Sequence, residues 1–128
     1  VTASLEQKFQ QLKPFEGVVA WYLLGSGARD QLRPDSDLDL AAMPYPGVLL
    51  DRWDLIQWAT DASLVFERTV DVGICDSPFL VYAKEAIYTG RRIYCKDETV
   101  TRKRESELLA LYLTYLDDRK EVIHAYRA

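Results

Sequence analysis

The sequence has few of the residues that build most metal cages and disulfide frameworks. It carries two cysteines and one histidine in 128 residues. Those numbers exclude a zinc site made of four Cys and His ligands. Cys75 and Cys95 lack Cys-x-x-Cys spacing, and each sits in an apolar, strand-like segment. They read as buried thiols of a reducing compartment, as expected of a cytoplasmic protein. An excess of positive charge is also missing. The net charge is −4, which argues against nonspecific nucleic-acid binding. The basic cluster Arg102-Lys103-Arg104 is followed by Glu105 and Glu107 and reads as a solvated helix face. No apolar run approaches membrane-spanning length; the longest is the seven-residue stretch Val18–Leu24. Val1-Thr2-Ala3-Ser4 is not a basic region leading into an apolar core, so no signal peptide is expected.

What remains is the composition of an ordinary globular chain, 48% hydrophobic and 28% charged. Its length suits a single domain over residues 1–128, with enough chain to bury a core.

The local patterns predict alternating helices and strands. Ser4 and Gln7 form a capping box before a short helix with Leu5, Phe9 and Leu12 on one face, closed by Pro14. A buried strand is expected over 18–24, with a short helix from Ser26. A second strand over about 38–43 breaks at Pro44 and Pro46. Asp51 caps a helix through Phe66, with Leu55, Ala59, Ala62 and Phe66 inward. Thr69–Cys75 reads as a third strand. Ser77-Pro78 starts another helix, and Gly90 stops it. Arg91–Cys95 reads as a charged edge strand. From about Asp97 the chain is one long helix, whose apolar stripe is Leu108, Tyr112, Tyr115, Leu116, Val122, Ile123 and Tyr126.

Chemistry is concentrated between the first two strands. Gly25-Ser26 is followed after ten residues by Asp37-Leu38-Asp39. Gly25 permits a tight turn. Ser26 then stands where a helix can begin, so its hydroxyl and the free N–H groups after it can hold a phosphate. Asp37 and Asp39 are two residues apart on an extended chain, so their carboxylates share one face while Leu38 and Leu40 share the other. Two close carboxylates repel unless a cation lies between them, and hard oxygen donors suit Mg²⁺. A bare Asp-x-Asp is equally consistent with a strand end showing two acids to water. The strand before it, the Gly-Ser turn and the polar linker Arg33-Pro34-Asp35-Ser36 favour the metal reading.

Asp71 is the third candidate. Between Val70 and Val72 it faces away from both. If its strand lies beside that of Asp39, the three acids meet. They could then hold two ions, or hold one while the third acid accepts a proton from an attacking hydroxyl. Alone, Asp71 could simply face water or pair with Arg68.

The segment Leu24 to Asp30, the run Arg33 to Leu40, Val70-Asp71-Val72 and Tyr88 to Tyr94 together resemble the minimal nucleotidyltransferases of the DNA polymerase beta superfamily. The resemblance implies an α/β (α+β) nucleotidyltransferase fold: a twisted mixed sheet of about four strands, packed helices and a long C-terminal helix. It implies ATP as substrate and Mg²⁺ as cofactor. Gly25, Ser26 and Arg29 would contact nucleotide. Asp37, Asp39 and Asp71 would be the metal and catalytic carboxylates. Such proteins are often antitoxins that silence a HEPN-domain ribonuclease toxin by placing AMP on one of its tyrosines. Gly27 and Asp30 stand where the family often has Arg and Gly. Asp tolerates a left-handed turn less well than Gly.

Two other readings stay open. One is transfer to a small-molecule hydroxyl such as that of an aminoglycoside, for which 128 residues leave little room. The other is a subunit that neutralises its partner by contact alone. The spacing Arg119-x4-His124-x-Tyr126 imitates a HEPN ribonuclease motif. A HEPN domain is all helical, however, and this chain has strands, so chance is the better account.

Overall fold

The computed structural model describes residues 2–25, 28 and 36–127, with side chains from Leu5 onward. Its elements are α1 (Thr2–Gln10), β1 (Val18–Leu24), β2 (Leu38–Pro44), α2 (Arg52–Phe66), β3 (Val70–Ile74), α3 (Leu80–Tyr88), β4 (Arg91–Cys95) and α4 (Glu98–Arg127). The helix expected from Ser26, and the roles given to Ser26, Gly27, Arg29 and Asp30, lie outside the described residues.

The strands form one mixed sheet in the order β3-β2-β1-β4. β1 pairs antiparallel with β2 and with β4. β2 pairs parallel with β3. β1 is central and covered on both faces, which is why its sequence is apolar throughout instead of alternating. β4 is at an edge, as its charges suggest. On one face Trp21, Leu38 and Leu40 pack with Phe9 of α1 and with Leu55 and Trp58 of α2. On the other, Tyr22, Ala41 and Met43 pack with Ala83 and Ala86 of α3 and with Leu108 of α4. Trp21 and Trp58 stack at a centroid distance of 4.3 Å, and the Trp58 indole N–H donates to the Lys13 carbonyl at 3.1 Å. That bond ties the α1–β1 connection to α2.

Several boundaries and faces differ from expectation. The first helix begins at Thr2, so Ser4 lies within its first turn. β2 runs through Pro44, which pairs with Val18 at the strand's end. The buried face of α2 includes Trp58 in place of Ala59, because the large indole reaches the sheet where a methyl does not. Asp76, not Ser77, supplies the cap: its carboxylate accepts from the Ser77 N–H, and Ser77–Phe79 forms a 3₁₀ turn before α3. Arg104 is not simply a solvated charge, since its guanidinium pairs with Asp76 at 2.6 Å. In α4 only Thr101 and Leu108 are buried, and Val122, Ile123 and Tyr126 are exposed. A helix of this length spans about 45 Å, more than the sheet beneath it can cover.

Among the described residues, no helix is long and apolar enough to cross a membrane.

Candidate active site

The parallel pairing of β2 and β3 sets Asp39 beside Asp71 in register. Adjacent strands lie about 4.8 Å apart, so the two carboxylates leave neighbouring backbones on the same face. Leu38 and Leu40 turn into the core on the other face. Asp37, one residue ahead of β2, is exposed at the same end. Its segment is held by Arg68, whose Nη1 donates to the Ser36 carbonyl at 3.3 Å.

Asp39 also pairs across β1 with Leu24, which brings the chain directly to Gly25. Gly25 adopts φ 64°, a left-handed conformation that glycine takes without strain. Its carbonyl accepts from the Ala28 N–H at 3.2 Å, closing a turn. A Cβ at Gly25 would lie 3.6 Å from Asp39 Oδ2. The turn is therefore stacked closely on the carboxylate.

These neighbours perturb Asp39. Burial on its inner side, then repulsion from Asp71 and from Asp37, holds its carboxyl above the usual carboxylate range. Asp71 and Asp37 thus both act on the Asp39 carboxylate. Among the described residues, no set of three or more His, Cys, Asp or Glu side chains is already arranged as a metal cage.

Beneath the acids lies Tyr82, which the sequence reading missed. Its ring covers Gly73, and its hydroxyl donates to the Leu40 carbonyl at 3.3 Å. A Cβ at residue 73 would collide with the ring. Burial pushes the phenol up to about 12; Cys75, Asp39 and Asp71 push the same way, and a bond to the Gly73 backbone opposes them. Tyr82 is thus a neutral floor spanning β2 and β3 directly behind the carboxylates. The available signal was a glycine two residues after Asp71 inside a strand, which marks a close approach.

A cavity of about 630 Å³ opens on the outer side of β3. Asp71 and Tyr82 line it together with Leu55, Ile56 and Ala59 of α2 and with Phe79. Arg119 and His124 are on the exposed part of α4, where the Arg119 guanidinium donates to the Tyr115 hydroxyl at 3.2 Å. Arg119 is therefore spent on its own helix.

A family model described as Polymerase beta, Nucleotidyltransferase matches residues 6–99. Among solved structures, the chain is similar to a toxin–antitoxin protein crystallised with AMP-PNP, with 16% identity, TM-score 0.75 and 99% and 98% of the two chains covered. It is similar to a chain of the MntA–HepT toxin–antitoxin, with 17% identity, TM-score 0.74 and 98% and 99% covered. It is also similar to a chain from the complex of tri-AMPylated Shewanella oneidensis HEPN toxin with MNT antitoxin, with 17% identity, TM-score 0.76 and both chains covered in full, 100% and 100%. No curated protein matches it significantly by sequence.

Proposed function

The chain belongs to the polymerase beta nucleotidyltransferase family, and from that premise we propose that it transfers AMP from ATP to a tyrosine of a HEPN-domain toxin, as that toxin's antitoxin. The observation that carries the reading is the in-register pair Asp39–Asp71 beneath the Gly25 turn. Structures with the same fold come from toxin–antitoxin complexes, one containing AMP-PNP and one a tri-AMPylated HEPN toxin.

The donor set fits Mg²⁺. It consists of hard carboxylate oxygens, and Asp39 is held in an environment where its own charge is disfavoured. Asp37 and Asp39 would hold the ion, with Asp71 completing the set. Mg²⁺ bound there would supply positive charge to offset that building on the pyrophosphate.

The chain's own residues would do the rest. The Gly25 turn brings backbone close to Asp39, and Ser26 and Arg29 would hold the triphosphate beside it. Asp71 faces the acceptor side and would take the tyrosine hydroxyl proton. The phenolate oxygen forms a bond to the α-phosphorus, the bond from that phosphorus to the bridging oxygen breaks, and pyrophosphate leaves. Tyr82 and the β2–β3 ladder would keep the two carboxylates in place during the step.

The test is mass spectrometry of the HEPN protein after co-expression. An added AMP on tyrosine, lost in Asp37→Asn, supports the reading. An unmodified partner that is still neutralised would favour inhibition by contact alone. Label on an aminoglycoside, with the partner untouched, would favour the small-molecule reading.

A further inference from the structure

β3 is the last strand of the sheet on its side among the described residues. Which of its backbone groups remain available follows from two bonds at its ends. The Leu38 N–H donates to the Thr69 carbonyl at 2.8 Å, and the Cys75 N–H donates to the Ala42 carbonyl at 2.8 Å. In a parallel ladder, alternate residues face the partner strand. Thr69, Asp71, Gly73 and Cys75 therefore spend their N–H and C=O groups on β2. Val70, Val72 and Ile74 turn theirs outward. The Val70 N–H is taken by Ser63 Oγ at 3.0 Å. Val72 and Ile74, whose groups turn outward, both line the 630 Å³ cavity.

The walls of that cavity are mainly apolar, with the hydroxyls of Thr60, Ser63 and Thr69 among them. Ile56 is 56% exposed and Phe79 39% exposed on its rim, while Leu55, Ala59 and Val72 form its sides. Among the described residues, Arg52 and Asp71 are the only charged ones lining it, and the Arg52 guanidinium lies 5.5 Å from the centre of the Phe79 ring. A triphosphate would meet one cation and an opposing acid. A polycationic sugar would meet one acid and an opposing cation. An extended polypeptide matches better, because its alternating N–H and C=O groups can complete those of Val72 and Ile74 while its apolar side chains enter the groove.

We infer that the groove between α2 and the free edge of β3 takes an extended segment of the protein acceptor as an added strand, delivering the acceptor hydroxyl to Asp71. The Ser63 bond to Val70 sets the limit of pairing, so the added strand is short and registers on Val72 and Ile74. The kinetic part of this inference rests on the proposed transferase reading; the docking part does not.

Hydrogen exchange of the Val72 and Ile74 amides, with and without a HEPN-domain protein that forms a complex with this chain on co-expression, reads the docking directly. Exchange slowed about tenfold or more in the complex is the expected result. Unchanged exchange would overturn the inference even if the partner is labelled. Slowing by ATP alone would make the groove a nucleotide site, and slowing that grows with this chain's own concentration would make its occupant a second copy. Either result overturns the inference. Protection without any transfer by the unaltered chain supports docking and counts against the transferase reading instead.

The kinetic arm uses two variants. Val72→Pro deletes an outward N–H without touching the β2 ladder, and Ile56→Glu changes the exposed rim, where folding is not at stake. Each should raise KM for the protein acceptor about tenfold while kcat stays within about twofold. Ile56→Glu with unchanged KM would overturn the assignment.

Discussion

Asp39 and Asp71 are register partners on neighbouring parallel strands, and Asp71 raises the cost of charge on Asp39. Replacing either Asp37 or Asp39 with Asn should lower transfer by about 10²–10³, the scale of losing a main electrostatic contribution to the transition state. Circular dichroism should show an unchanged fold. Ordinary activity in either variant, at ordinary Mg²⁺, would dismiss the metal-site proposal.

Asp71→Asn should also stop transfer, yet weaken ATP·Mg²⁺ binding less than Asp39→Asn does, because its proposed task is on the acceptor side. Calorimetry compares the two. Equal loss of nucleotide binding in both variants would make Asp71 a primary ligand.

The raised Asp39 carboxyl predicts a pH dependence of stability without metal. The folded state holds the Asp39 proton more tightly than the unfolded chain does, whose Asp titrates near pH ~3.9. Stability from this group is therefore present at low pH and falls as pH rises from that value through the raised folded one. Asp39→Asn should consequently raise Tm at neutral pH and remove this part of the pH slope. A lower Tm for Asp39→Asn in metal-free buffer would contradict the repulsion argument.

Gly73→Ala should destabilise the fold by about 1–3 kcal/mol through overpacking against Tyr82. Removing the hydroxyl alone would not relieve the clash, since ring carbons also meet the new methyl. Tyr82→Leu should recover part of the loss, so urea midpoints of the two single variants and the double should be non-additive. Additive losses would show that the ring and the methyl do not compete for the same space.

Residues beyond Asp117 bury nothing among the described residues. A chain ending at Asp117 should keep its stability to within about 0.5 kcal/mol. A fall of several degrees in Tm would mean that the distal helix supports the fold.

Much of this architecture could be read from local patterns. The apolar run of β1, the Asp51 cap, Gly90 and the charges on β4 marked elements that are present. The alternation around Asp39 assigned Leu38 and Leu40 to the core correctly. That Asp71 would be its register partner could only be stated conditionally, because strand neighbours are chosen by long-range pairing. Tyr82 was invisible for the same reason: its position over Gly73 depends on how α3 lands on the sheet. The stripe on α4 was misleading in another way. Period alone cannot tell a face buried by this chain from one left open, and Val122, Ile123 and Tyr126 are open.

The three tryptophans divide the molecule optically. Trp21 and Trp58 are stacked in the core, so their coupled absorption and fluorescence should change when the sheet and α2 separate. Trp53, 80% exposed, follows Arg52 and stands one turn before Ile56 on α2, two residues that line the groove. A soluble quencher should reach Trp53 and spare the stacked pair. Its protection would follow the arrival of a partner, while the stacked pair would follow unfolding. One unlabelled chain therefore carries separate signals for the two events.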